Sequence, residues 1–318
     1  MNLKSIGEFG LIKRIRKKVN LYSKDIVVGI GDDAAVLKYD NKHYLLFKTD
    51  MLVQDVHFSL KYSTPEQIGA KAIEHNVSDI ASMGGFPKFA IISLALPKNI
   101  EVEFVDRLYY GINKTAQEYK INIVGGDLSS SKKIMVSIAL IGFVEKKYLA
   151  LRNKAKVGDL IFCSGNVGSS SVGLGLLKRN KKGESIKKYL EPQSRLNLSR
   201  KLVKIGIKSM IDVSDGVASE LKHICGESNV GAIIYADKIP ISKDTINDSK
   251  KLNKNPLDFA LYGGEDFELV FTASKNKLKQ LKRYDVTVIG DIVNKRHGVK
   301  IIRNGKKTEL KNGFDHFK

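Results

Sequence analysis

The sequence predicts an α/β protein of the α+β type, built as two domains that are each a mixed sheet covered by helices. Three observations carry this expectation. From Ile26 to residue 144, strand-like and helix-like runs follow one another as β, β, α, β, α, β, β. Polarity then rises over Lys146 to Val157, and a fresh strand begins at Asp159. The remainder repeats the theme, which puts the division between residues 1–147 and 148–318.

In order, residues 1–20 read as a basic amphipathic helix, with Leu11, Ile12 and Ile15 set against Lys13, Arg14, Arg16, Lys17 and Lys18. Strand-like runs follow at 26–30 and 44–47. The next helix, 65–83, is punctuated at both ends. Thr64-Pro65-Glu66-Gln67 supplies an N-cap, a proline at the first helical position and a reach-back Gln, and Gly84-Gly85 supplies the stop. An apolar strand at 89–96, a helix at 102–119 with Phe104, Val105, Leu108 and Ile112 on one face, and strands at 121–124 and 134–144 complete the first half. The second half offers a strand at 159–164, a helix after Gly168, a helical stretch near 194–208, a strand at 210–213, a helix at 217–225, and strands near 231–235, 267–272 and 286–290. Lys238 to Asn255 is polar and poor in large apolar residues, so it reads as a surface excursion.

The helix at 65–83 poses the chemical question. Ile68, Ala72, Ile73, Val77, Ile80 and Ala81 recur at helical spacing, yet Asn76 and Asp79 share the stripe that runs on to Met83. A buried carboxylate must take up a proton or find a cation. No Lys or Arg lies between Lys71 and Lys88, so the helix offers no local partner and a shared metal is the next candidate. Asp33 in Gly29-Ile30-Gly31-Asp32-Asp33, Asp50 after the run Leu45-Leu46-Phe47, and Asp127 in Gly125-Gly126-Asp127 sit in similar settings. Oxygen-only ligands completed by water suit Mg²⁺, which commonly holds nucleotide phosphates.

Other motifs have plainer readings beside the functional one. The glycine-acid pairs at 29–33 and 125–127 also suit tight turns. Gly165 to Gly173 opens a helix without the Gly-Lys-Ser/Thr of a phosphate-binding loop, so a helix entry with an N-cap serine is preferred over an anion site. Asp212-Val213-Ser214-Asp215-Gly216 and Gly263-Gly264-Glu265-Asp266 are acidic clusters beside strands, and His57 makes no helical metal pair with Asp50.

Composition bounds the function classes. The formal charge of +20 is uneven: 21 basic against 16 acidic residues over 1–150, and 33 against 18 after that. The excess lies in lysine runs with little aromatic interleaving, which suit solvated faces better than a nucleic-acid surface. There is no run of 18 apolar residues and no charged-then-apolar leader, so a soluble protein without an export signal is expected. Cys163 and Cys225 lack metal-ligand spacing and read as reduced thiols of a cytoplasmic protein.

Taken in order, Gly29-Ile30-Gly31-Asp32-Asp33, Thr49-Asp50 with His57-Phe58, Asn76-Val77-Ser78-Asp79 with Met83-Gly84, Gly125-Gly126-Asp127, Asp212 to Gly216 and Gly263 to Asp266 resemble the thiamine-monophosphate kinase family, of the aminoimidazole ribonucleotide synthetase-like superfamily. The likeness runs from Gly7 to Phe317. It implies phosphorylation of thiamine monophosphate by ATP with several Mg²⁺ ions, in a homodimer formed through N-terminal domains. It implies Asp33, Thr49, Asp50, Asp79, Asp127, Asp212 and Asp215 as metal ligands, and Tyr109, Gly126, Asp127, Arg152 and Ser214 as nucleotide contacts. His57, Glu265 and Phe314 would face the thiamine substrate. Many relatives carry Ser or Thr where this chain has Lys48. A phosphate acceptor is already ionised at neutral pH, so no essential general base is expected. The alternatives are another ATP-using member of the superfamily, of the amidine-forming type, and a basic nucleic-acid-binding protein. The selenium branch is disfavoured because no reactive Cys stands near the N-terminus.

Overall fold

A computed structural model describes residues 2–311 and 313–317. The first half comprises α1 (Leu3–Arg16), β1 (Ile26–Val28), β2 (Ala35–Lys38), β3 (His43–Val53), α2 (Pro65–Ser82), β4 (Phe86–Leu96), α3 (Val102–Tyr119), β5 (Asn122–Ser130) and β6 (Met135–Glu145). Its sheet runs β1-β2-β3-β6-β4-β5, antiparallel except for the parallel pair β4 and β5. The mixed sheet expected from the sequence is therefore present, with β2 as an added short strand.

The second half comprises β7 (Leu160–Ser164), α4 (Ser169–Leu177), α5 (Ser185–Leu190), α6 (Leu196–Lys204), β8 (Ser209–Asp212), α7 (Val217–Ser228), β9 (Val230–Tyr235), α8 (Lys243–Lys251), α9 (Pro256–Tyr262), β10 (Leu269–Ala273), α10 (Leu278–Leu281), β11 (Val286–Asn294), β12 (Val299–Arg303) and β13 (Lys306–Glu309). These strands form a second sheet, β13-β12-β9-β11-β7-β10-β8, mixed through the parallel pair β9 and β12. Alternation along β7 and β10 sends Ile161, Cys163 and Val270 to one apolar cluster and Phe162, Leu269 and Phe271 to another, so helices cover both faces.

Three expectations are corrected. Helix α1 ends at Arg16 and is broken at Gly7, whose φ of 67° no helix accommodates. Residues 238–255 are not an irregular excursion. They contain α8, capped by Ser242 and docked through the small buried residues Thr245 and Ser249, which give no apolar stripe to read. The entry to α4 has Gly168, not a serine, at its N-cap, and the Asp266 carboxylate accepts from the backbone N–H of Gly168 at 2.5 Å and of Ser170 at 3.0 Å. Burial pushes that carboxyl up to about 7.

Helix α2 lies between the halves. Its capping box forms as expected: Thr64 N donates to Gln67 Oε1 at 3.1 Å, and Gln67 N donates to Thr64 Oγ1 at 3.3 Å. One side packs on the first sheet through Ile73, Val77 and Ile80. The other meets the second half: Ser199 of α6 donates to the Ala81 carbonyl, and Arg200 bonds the Gly84 carbonyl and pairs with Glu145 at 2.8 Å. Polar side chains on this helix are consequently buried rather than solvated.

Helix α3 approaches α2 at two glycines. A Cβ at Gly111 would stand 2.0 Å from the Glu66 carbonyl oxygen, and one at Gly69 2.2 Å from that of Leu108. Backbone cannot yield as a side chain can. Gly111→Ala is expected to destabilise by a net ~1–2 kcal/mol despite alanine's better helix propensity, read as a lower urea midpoint at unchanged slope.

Candidate functional site

Three acids from three segments converge beneath α2. One carboxylate oxygen each of Asp33, Asp79 and Asp212 lies within 4.8 Å of the others, and all three residues are buried. Asp33 follows the turn after β1, Asp79 leaves the last turns of α2, and Asp212 ends β8. The two halves thus build the cluster jointly. Ser78 Oγ donates to Asp212 Oδ2 at 2.6 Å, and Ser82 Oγ donates to Asp33 Oδ2.

Crowding of like charge in a buried place shapes the titration of these groups. Burial pushes the Asp79 carboxyl well above the usual carboxylate range; Lys48 opposes this, and Asp212, Asp50 and Asp33 add to it. Burial, then Asp33, lifts Asp212 to about 7, and burial with Asp33 does the same for Asp32. Asp215, one turn beyond β8, rises to about 6 through burial and the nearby Glu8. Two cations of the chain answer this charge. Arg152 pairs with Asp33 and accepts company from Asp32, whose Oδ2 receives the Arg152 backbone N–H at 3.1 Å. Lys48 Nζ lies 2.8 Å from Asp79 Oδ2 and 4.0 Å from Asp50 Oδ2.

As expected, the helix itself supplies no ion-pair partner for Asp79; the partner, Lys48, comes from β3. Asp50 is mid-strand rather than at a strand end, so Lys48 and Asp50, two apart, both face α2. A donor set of closely spaced carboxylate oxygens, still under-neutralised by two cations, fits a hard divalent ion such as Mg²⁺.

Not every predicted ligand joins this cluster. Cross-strand pairing sets Asp50 in a row with Ile138 and Ile92, whereas Asp127 shares the next row with Met51, Ser137 and Ser93. Adjacent rows face opposite ways, so Asp127 leaves the far side of the sheet, and Thr49, next to Asp50, does likewise. Gly126 beside it is needed for close approach, since a Cβ there would meet the Ile92 carbonyl oxygen at 1.9 Å. Tyr109 packs from α3 against the first apolar cluster.

A second group of predicted residues gathers beside the acids. Glu265 has a φ of 65°, held because its N–H donates to the Ser214 carbonyl at 2.8 Å. Its carboxylate meets Lys71 Nζ at 2.8 Å and His75 Nε2 at 3.4 Å. The His57 ring lies 5.2 Å from that of His316, which stands 4.9 Å from Phe314; Phe314 is 47% exposed and so available to a ligand. Burial, and His75 beyond it, lowers His57 to about 4, leaving the ring neutral at ordinary pH. His75 links the two groups, its Nδ1 3.7 Å from Asp50 Oδ2.

Residues 31–144 match the family model of the AIR synthase related protein N-terminal domain, and residues 156–303 match that of the C-terminal domain. The thiamine-monophosphate kinase of Aquifex aeolicus (strain VF5) is 40% identical over 323 residues, covering 100% of both chains. The chain belongs to the thiamine-monophosphate kinase family. A second member, from Bacillus subtilis (strain 168), is 37% identical over 98% of this chain and 100% of its own. The solved structure of AaThiL complexed with AMPPCP and TMP superposes with a TM-score of 0.88 at 38% identity, covering 99% of each chain. The fold is accordingly that of the AIR synthase related proteins.

Three residues beyond those expected from the sequence, Lys71, His75 and Glu220, stand at the site. Lys71 is 3% exposed, sits over the Tyr189 ring at 4.0 Å and donates to the His57 carbonyl at 3.0 Å. Glu220 accepts from the Asp215 N–H at 2.8 Å and so sets the turn after β8. A signal existed for the first two: on α2, Lys71 follows Ile68 by three residues, and His75 follows Lys71 and precedes Asp79 by four each.

Proposed function

We propose that this protein transfers the γ-phosphoryl group of ATP to thiamine monophosphate, giving thiamine diphosphate. The observation that carries the reading is the convergence of Asp33, Asp79 and Asp212 beside the wall formed by His57, Glu265 and Phe314. It is supported by relatives that bear the kinase name along their full length and by a neighbouring structure with AMPPCP and TMP bound.

Asp33, Asp50, Asp79, Asp212 and Asp215 would hold Mg²⁺, which when bound would neutralise the ATP triphosphate and the acceptor monophosphate and align them. Arg152, paired with Asp33, and Ser214 would steady the nucleotide. His57, neutral at working pH, and Glu265 orient the thiamine end, with Phe314 against its ring. No residue need remove a proton, because the acceptor phosphate is already ionised.

The division at 147/148 assigns the first half to ATP, Mg²⁺ and dimerisation, and the second to completing the site. A homodimer through the N-terminal domains is supported by the outer face of the first sheet, where Phe47, Met51 and Ile91 are each 47% exposed. Thr49, Gly126 and Asp127 lie on or beside that face, so their metal and nucleotide roles would be played at the subunit boundary. No helix among the described residues is long and apolar enough to cross a membrane, and two unpaired buried thiols suit the cytoplasm.

The test is ADP formation with and without thiamine monophosphate across a Mg²⁺ series. Formation that requires both is expected. ADP released equally fast without thiamine monophosphate, or only with an amide substrate, would overturn the assignment.

A further inference from the structure

The acid cluster contains a cation of its own. Lys48 projects inward from β3 on the same face as Asp50, between that residue and α2. Its ammonium sits 2.8 Å from Asp79 Oδ2 and 4.0 Å from Asp50 Oδ2, and its side chain is 21% exposed. Asp79 is one of the acids whose oxygens meet within 4.8 Å, so this contact lies inside the proposed metal pocket rather than at its rim. A lysine ammonium is a compact point charge with three donors, and it occupies a carboxylate lone pair as a metal ion would.

We propose that the Lys48 ammonium is a resident cation of this pocket, holding Asp79 and Asp50 in the place of one divalent ion. The inference rests on the reading that these acids bind Mg²⁺. Its consequence is a site that recruits one fewer ion than the same acids would with a neutral side chain at position 48. It also keeps the carboxylates together when divalent ions are scarce, since the covalently tethered charge needs no free ion to bind.

The experiment counts bound Mn²⁺ by loss of the free-ion electron paramagnetic resonance signal, with and without a non-hydrolysable ATP analogue, and records melting temperature in parallel. Lys48→Ser is expected to bind one more Mn²⁺ per chain than the natural protein, because no tethered charge then competes for Asp79 and Asp50. Lys48→Arg should keep the natural count. Lys48→Met, which preserves side-chain length without charge, should melt lower than the natural protein in chelator and regain the difference with Mn²⁺. The same ion count and affinity in Lys48→Ser as in the natural protein would overturn the inference while leaving the metal reading intact. A natural protein that binds no Mn²⁺ under either condition would overturn both.

Discussion

Asp79→Asn is expected to lower turnover about a thousandfold while leaving the melting temperature unchanged or slightly raised. The two effects diverge for one physical reason. Asp79 lies among Asp33, Asp50 and Asp212 in a buried place, and its carboxyl is pushed well above the ordinary range by burial and by that company. Removing its charge relieves repulsion from the other acids in the metal-free fold, which offsets the lost contact with Lys48; Lys48 still has Asp50 4.0 Å away, and the amide keeps the same volume. The same change deletes an anionic ligand from the set that draws in Mg²⁺, and phosphoryl transfer between two anions depends on that neutralisation. Steady-state rates across a Mg²⁺ titration, alongside thermal melts, read both. An unchanged rate with an unchanged Mg²⁺ dependence would remove Asp79 from the site.

Lys71→Met is expected to destabilise the protein by about 3 kcal/mol at pH 7, because it leaves the Glu265 carboxylate buried without its closest cation. Burial pushes the Lys71 ammonium down and Glu265 pulls it back; for Glu265, burial raises the carboxyl but Lys71 and His75 lower it to about 2. A carboxyl held below its ordinary value contributes stability that is complete above pH 4.5 and is lost as pH falls towards 2. The gap between the natural protein and Lys71→Met in urea unfolding should therefore be full at pH 7 and close between pH 4.5 and 2. The double variant Lys71→Met with Glu265→Gln should recover part of the loss, since no bare charge remains. A gap that stays constant down to pH 3, or one below about 1 kcal/mol at pH 7, would mean the pair does not hold this wall of the site.

How far the sequence could be read depended on whether local chemistry or strand register decided each feature. Helix α2 was legible down to its capping box and glycine stop, because Thr64, Pro65 and Gln67 at one end and Gly84 at the other each act on the adjacent turn. The outlines of β3 were not: Lys48, Thr49 and Asp50 interrupt the apolar run, so the strand was expected to stop where in fact it continues to Val53. That misreading hid the inward alternation that delivers Lys48 to Asp79. Helix α8 and the hairpin of β12 and β13 escaped notice for a related reason, being lysine-rich outside and packed inside through small or few apolar residues.

The candidate site was legible as a list of acids but not as an arrangement. Asp33, Asp79 and Asp212 converge as expected because α2 is clamped between the two sheets. Asp127 is grouped with them by the apolar strand-like run before it, its glycine-acid motif and the family resemblance. Its side of the sheet depends on register, and that register carries a shift in β5 between Ile123 and Gly125. One residue of slip moves every following side chain to the other face, which no spacing in the sequence reveals.

Asp33, Asp79 and Asp212 are expected to cage a divalent ion between them. Crystals of the protein soaked in Mn²⁺ with a non-hydrolysable ATP analogue, measured for anomalous scattering, address it directly. An anomalous peak within coordinating distance of oxygens from those three residues is predicted; peaks confined to other surfaces, with the three carboxylates bound only to Lys48, Arg152 and serine hydroxyls, would contradict it.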